Sequence, residues 1–79
     1  MNEEQIKALK IGDRFLYIKN LGSEMSTLKI KKFNQISLVA DYISGPLEGK
    51  WTGIAFADLS NYVKYEDAQS KYAEYLIWI

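Results

Sequence analysis

The side chains of this chain that are able to do chemistry are carboxylates, amines and aromatic rings. Its 79 residues contain ten Asp or Glu, ten Lys or Arg, three Phe, six Tyr and two Trp, but no His and no Cys. The chain therefore lacks an imidazole base or metal ligand, and it lacks a thiolate nucleophile. This composition favours a binding protein over an enzyme.

The carboxylates closest to predicted turns are Asp13, Asp41, Glu48 and Asp58. Their spacing fits neither a calcium-binding loop nor the paired carboxylates of a glycosidase. Turn and capping roles account for Asp13 and Asp58, since Asp side chains accept hydrogen bonds from nearby backbone N–H groups. We therefore assign no catalytic residue, and we expect no cofactor and no metal site.

A basic group of side chains lies on and after the second predicted strand, at Lys29, Lys31 and Lys32. Beside Trp51, these amines would hold a nucleic-acid backbone while the indole stacks on a base. The alternative is a solvated strand face, which the zero net charge of the chain favours. Nucleic-acid binding by Lys29, Lys31, Lys32 and Trp51 is thus the second hypothesis for function.

Three aromatic residues, Tyr17, Trp51 and Tyr62, form an exposed patch if the strand phases described below are correct. Rings of this kind are enriched at interface hot spots, because they bury a large area at low entropic cost. The alternative is that a thin core needs all three for packing. The patch hypothesis makes them candidates for partner binding.

The last four residues, 76–79, are all large and apolar. If a C-terminal helix docks through Leu76 and Ile79, the opposite side presents Ile77 and Trp78. Those two side chains would then form a homo-oligomer or enter a partner's pocket. Two alternatives stay open, because the register could place them in the core and residues 72–79 have a composition that also suits a strand.

The elements that position these residues follow from hydrophobic periodicity. Asn2 precedes a short apolar spacing that predicts an N-terminal helix, and acidic residues from Glu66 suggest the start of a C-terminal helix. Five strands are predicted, at residues 14–19, 27–31, 36–43, 51–56 and 62–65. We expect a hairpin loop at 44–49 and a short turn or 3₁₀ turn at 58–61. Lys32 and Phe33 break the alternation of the second strand, which predicts either a bulge or the end of the strand at Asn34.

Alternation along these strands predicts which side chains face the core. The inward set comprises Leu28, Ile30, Ile36, Leu38, Ala40, Tyr42, Ile54 and Phe56. On the fourth predicted strand, at 51–56, Trp51 shares the other face with Gly53 and Ala55. Nothing in the sequence supports a second domain, so residues 1–79 are taken as one mainly β domain.

Two short motifs resemble SH3 domains. Trp51 followed by residues 60–64 (Ser-Asn-Tyr-Val-Lys) is similar to the binding-groove Trp, 3₁₀ turn and Ser-Asn-Tyr-Val strand of that family, and Gly12-Asp13 resembles the pair that opens a barrel strand in many SH3-like folds. The resemblance implies a small five-stranded SH3-like barrel with a short N-terminal helix and a C-terminal helix. It does not extend to PxxP peptides, because only Trp51 and Tyr62 of the groove residues have counterparts.

Further expectations concern location and partners. No apolar run approaches the roughly 18 residues that span a bilayer, and Glu3 and Glu4 stand where a secretory signal would carry basic residues. We expect a cytoplasmic, non-enzymatic protein-binding module without membrane association. By analogy alone, it resembles accessory proteins of phages and mobile elements that inhibit or redirect a host protein. The sequence does not identify the protein partner.

Overall fold

The computed structural model describes the backbone of residues 1–17 and 26–71 and the side chains of residues 1–17 and 26–68. Its helices are α1 (Glu3–Lys7), a 3₁₀ helix (Phe56–Asn61) and α2 (Tyr65–Lys71), and its strands are β1 (Arg14–Tyr17), β2 (Thr27–Phe33), β3 (Ser37–Tyr42), β4 (Trp51–Ala55) and β5 (Tyr62–Lys64). The expected mainly β class with an N-terminal and a C-terminal helix is confirmed. Ile77 and Trp78, the self-association expected of them and the helix or strand alternative at 72–79 lie outside the described residues.

The five strands form one antiparallel sheet in the order β4-β3-β2-β1-β5. β1 therefore lies between β2 and β5, and within the described ranges β4 and β5 occupy the two edges. No strand pair among the described residues joins those edges, so closure into an SH3-like barrel stays a prediction.

The core lies on one face of this sheet, called here the inner face. Its buried apolar residues are Leu9, Phe15, Leu28, Ile30, Leu38, Ala40, Ile54 and Leu59. The inward direction predicted for Leu28, Ile30, Leu38, Ala40 and Ile54 is confirmed, because residues two apart on a strand share a face. Tyr42 and Phe56 are only partly buried and pack at the margin of the core.

The expected burial of Ile36 is wrong, since 78% of its surface is exposed. β3 begins one residue later, at Ser37. Ile36 belongs to the turn from β2, where the Asn34 N–H donates to the Ser37 carbonyl oxygen at 2.8 Å. Alternation therefore fails at this position because the strand had not yet started.

A β-bulge interrupts the pairing of β2 with β3. Ile30 pairs with Ala40 and Lys32 pairs with Val39, so Lys31 is the additional residue. The break in alternation at Lys32 and Phe33 is thus caused by a bulge, and the strand also ends just before Asn34, so both expected features are present. The bulge restores the alternation, because Phe33 pairs with the buried Leu38.

Helix α2 covers part of the opposite, outer face of the sheet. Leu16 and Ala68 are buried together, and Val63 and Tyr65 pack against them. The Arg14 guanidinium lies 4.0 Å from the centre of the Tyr65 ring, a cation–π contact at the border of this cluster. The outer face of β1 and β5 is therefore occupied, whereas α2 makes no comparable cluster with β2, β3 or β4 in the described part of the chain.

Strand β2 contains an unusual buried hydroxyl group, that of Thr27. The Thr27 N–H donates to Ser44 Oγ at 3.1 Å and its carbonyl accepts from the Ile43 N–H at 2.9 Å. Its Oγ1 is buried and has no hydrogen-bond partner among the described residues. An unsatisfied buried polar group is destabilising, typically by about 1–3 kcal/mol.

We expect Thr27→Val to raise the free energy of unfolding by about 1 kcal/mol, because a methyl group of the same shape replaces the unpaired hydroxyl. Urea unfolding followed by circular dichroism measures this change. Thr27→Ser is the matched control, and it should lower stability, since it keeps the hydroxyl and removes the methyl group. A valine variant less stable than wild type would show that Oγ1 is hydrogen-bonded in solution.

Candidate functional site

The structure divides the predicted aromatic patch into two separate sites. Tyr17 and Tyr62 are cross-strand partners on β1 and β5, with ring centroids 5.0 Å apart. Trp51 begins β4, at the other edge of the described sheet and on its outer face. The expectation of one surface formed by Tyr17, Trp51 and Tyr62 is therefore corrected, since these residues lie on opposite faces.

Strand phase explains this division. Tyr17 is two residues from Phe15, which is buried in the core, so both side chains point to the inner face. On β4, Ile54 is buried, whereas Trp51, Gly53 and Ala55 are exposed together. The predicted grouping of Trp51 with these two small residues is confirmed.

The part of the outer face that no described helix covers has Trp51 at its edge, and we call it the Trp51 face. It comprises Lys29, Lys31, Lys32, Val39, Asp41, Trp51 and Gly53. Two cross-strand rows order these side chains, Lys29–Asp41–Trp51 and Lys32–Val39–Gly53. Residues in one row are close enough for their side chains to interact.

The bulge sets the charge of this face. Because Lys31 is the additional residue between Ile30 and Lys32, both lysines lie on the outer side of β2. Simple alternation would have turned Lys32 inward. All three lysines are exposed, and Asp41 stands directly across from Lys29. The positive charge is thus less compensated near Lys31 and Lys32 than near Lys29.

Trp51 and the bulge lysines line one shallow depression of about 350 Å³, together with Asn34 and Val39. The indole is 68% exposed. Space beside it is kept by Gly53, where an added methyl carbon would meet only the Leu38 carbonyl oxygen, 3.9 Å away. A flat ring, two amines and an amide are therefore available to one ligand surface.

The second site is a cavity of about 240 Å³ on the inner side, which we call the tyrosine cavity. It is lined by Tyr17, Ser26, Leu28, Tyr42, Leu47 and Tyr62. Sequence reasoning placed Tyr17 and Tyr62 at a site but assigned Tyr42 to the core alone. The signal for Tyr42 was its place at the end of an inward-facing series, where a strand side chain reaches the rim of the core.

Tyr62 has an altered acidity in this cavity. Burial raises the pKa of the Tyr62 phenol above its ordinary value of 10.0, and the neighbouring Tyr42, Tyr17 and Asp58 raise it further because negative charge there opposes ionisation. The neutral phenol is therefore favoured in the folded protein.

We expect the free energy of unfolding to fall as pH rises above about 10, since the unfolded chain then releases the Tyr62 proton more readily than the folded chain. A raised folded pKa contributes stability that is present below the unfolded pKa and lost as pH increases through the folded pKa. Urea unfolding at about pH 8 and about pH 11 measures the loss. Tyr62→Phe should reduce it, and an equal loss in both proteins would contradict the assignment to Tyr62.

Of the carboxylates near turns, Asp13 makes a structural hydrogen bond. Asp13 Oδ2 accepts a hydrogen bond from the Lys10 N–H at 2.9 Å, which confirms its expected turn role. Asp58 lies in the first turn of the 3₁₀ helix, where no side-chain cap hydrogen bond forms. Among the described residues there is no group of three or more acidic side chains arranged to hold a metal ion.

Comparison with known proteins returned no matching family model, no similar curated protein and no similar solved structure. Within the described ranges, no helix has the length and apolar character needed to cross a bilayer.

Proposed function

We propose that this chain is a cytoplasmic, non-enzymatic protein-binding module, built on an SH3-like sheet, that docks on its partner through the Trp51 face. The observation that carries the proposal is the 68% exposure of Trp51 beside Lys31 and Lys32. An indole that is exposed to this extent presents a large apolar surface to water, and such surfaces often mark interaction sites.

The energetics of protein interfaces support this choice. Trp is among the side chains most enriched at hot spots, where truncation to alanine commonly costs 2 kcal/mol or more. Long lysine side chains around such an anchor exclude water with their methylene groups and keep their charges at the rim. Lys31, Lys32 and Asn34 are suited to this rim role around Trp51.

The test immobilises the wild-type full chain and the Trp51→Ala variant as two baits. Any captured protein is purified, and its affinity for each bait is measured. We expect Trp51→Ala to weaken binding by about 30-fold or more, because the loss of an anchor is worth about 2 kcal/mol. Ile36→Ala is the matched control, since Ile36 is apolar and 78% exposed but lies in the β2–β3 turn. Equal affinity for wild type and Trp51→Ala would overturn the proposal.

A second candidate function is single-stranded nucleic-acid binding by Lys29, Lys31, Lys32 and Trp51. It is favoured by the bulge, which brings two amines beside an exposed ring that could stack on a base. The zero net charge, and Asp41 across from Lys29, count against it.

Fluorescence quenching by an oligothymidylate decides between the two candidates, with Trp78→Phe as background so that Trp51 is the sole indole. Nucleic-acid binding predicts quenching that weakens steeply with salt, and Lys31→Gln with Lys32→Gln should reduce the slope by about 1.4 in log–log form. Absence of quenching at low salt would exclude this candidate. Origin in a phage or mobile element stays a prediction.

A further inference from the structure

The composition of the tyrosine cavity favours ligands of one sign of charge, which is positive. The described residues that line it are three tyrosines, two leucines and one serine, and none of these described residues is basic. The carboxylate of Asp58 lies near enough to Tyr62 to influence its ionisation. Both features make the cavity favourable for positive charge.

The rings stand as walls at an angle to each other. The Tyr17 and Tyr62 rings have an interplanar angle of 69° at a centroid separation of 5.0 Å. Tyr62 is also held by an edge contact with the buried Phe15, at 5.3 Å and 77°. The position of this wall is therefore fixed by the core, so little ordering is needed when a ligand binds.

The remaining walls come from three other segments. Tyr42 ends β3 opposite Leu28 of β2, and Leu28 is itself buried. Leu47 comes from the turn that joins β3 to β4 and is partly exposed at the mouth. The described lining thus combines one buried leucine with three tyrosine rings.

We propose that the tyrosine cavity binds an alkylammonium group. The ring faces of tyrosines carry negative electrostatic potential, and a desolvated ammonium within about 6 Å of such rings is attracted by roughly 0.5–2 kcal/mol. The volume of about 240 Å³ is smaller than the roughly 300–1,000 Å³ of a drug-sized pocket, so it suits a head group or one side chain.

This inference does not depend on the proposed function of the Trp51 face. The tyrosine cavity lies on the inner side of the sheet, and none of its described lining residues belongs to the depression beside Trp51. Failure of one proposal therefore leaves the other unaffected.

The test titrates the full chain with choline and with 3,3-dimethylbutan-1-ol, a neutral molecule of nearly the same shape, and follows the ring resonances by NMR. We expect choline to bind roughly 2- to 30-fold more tightly than the neutral alcohol, and to shift the resonances of Tyr17, Tyr42 and Tyr62. Equal affinity would show that the cavity is merely apolar, and absence of binding by both would show that it is closed. Either result would overturn the proposal.

Two variants assign the effect to the cavity. Tyr42→Leu should remove the preference for choline, whereas Tyr42→Phe keeps a ring and should retain it. Trp51→Ala is the control and should leave the preference unchanged. Retention by Tyr42→Leu would contradict the assignment, and if that variant fails to fold, the wild-type comparison of choline with its neutral counterpart still decides.

The ammonium group could belong to a lysine side chain of a protein or to a free small molecule. To distinguish these sources, the same titration is repeated with a blocked Gly-Lys-Gly peptide and with its acetyl-lysine form. Tighter binding of the lysine peptide than of choline assigns the group to the side chain of a protein partner. Tighter binding of choline assigns it to a free small molecule. Equal binding of the lysine and acetyl-lysine peptides would contradict recognition of a lysine charge.

Discussion

Replacing Phe15 with alanine is expected to lower the free energy of unfolding by about 3–5 kcal/mol. Phe15 has no exposed surface and lies on β1, which pairs with both β2 and β5. Its loss leaves a cavity and also removes the edge contact with Tyr62. A chain of this size has a total stability of roughly 4–12 kcal/mol, so the variant is expected to be close to unfolding at room temperature.

Urea unfolding followed by tyrosine fluorescence and circular dichroism measures this loss. Phe33→Ala is the matched control, because Phe33 is also on a strand but is 38% exposed and contacts Phe56 with ring centroids 6.4 Å apart. Its cost should be smaller, at roughly 1–2 kcal/mol. Equal costs at both positions would show that the core is not centred on Phe15.

The second large effect is expected from Ala68→Asp. Ala68 has no exposed surface and packs with Leu16 where α2 covers β1 and β5. An unpaired charge in such a position costs several kcal/mol, so α2 should separate from the sheet or the whole domain should lose about 3–5 kcal/mol. Hydrogen exchange of the amides in Tyr65–Lys71 measures this effect, because these amides lose their protection if α2 separates or the domain unfolds and keep it if the helix stays intact.

Ala57→Asp is the control for this variant. Ala57 lies in the 3₁₀ helix and is exposed, so the same carboxylate can remain in water there. Its cost should stay near 0.5 kcal/mol. If Ala68→Asp is equally mild and α2 amides stay protected, the packing of α2 on Leu16 is not what stabilises the helix.

Much of the fold could be predicted from local patterns. The strict alternation around Leu28 and Ile30 identified β2 and its buried face, and the same rule gave the opposite directions of Ile54 and Trp51 on β4. Such predictions succeed because the period of two depends on backbone geometry alone. Ile36 was an exception, because alternation carries no information about where a strand begins.

The chemistry available to the chain was also determined by the sequence. A chain without His or Cys cannot use an imidazole or a thiolate, whatever its fold. The sequence also placed Trp51 on the same face of β4 as Gly53 and Ala55, whereas its exposure was shown only by the structure. Local composition and period thus determined residue types, faces and the mainly β class.

Only the tertiary structure decided which of these residues are neighbours. The strand order places Trp51 at one edge of the described sheet and Tyr62 at the other, and the bulge at Lys31 brings Lys32 to the Trp51 face. The pairing of β1 with β5 joins Tyr17 to Tyr62, which are 45 positions apart in the chain. Such contacts depend on strand order and register, which are set by packing of the whole core and not by any local segment.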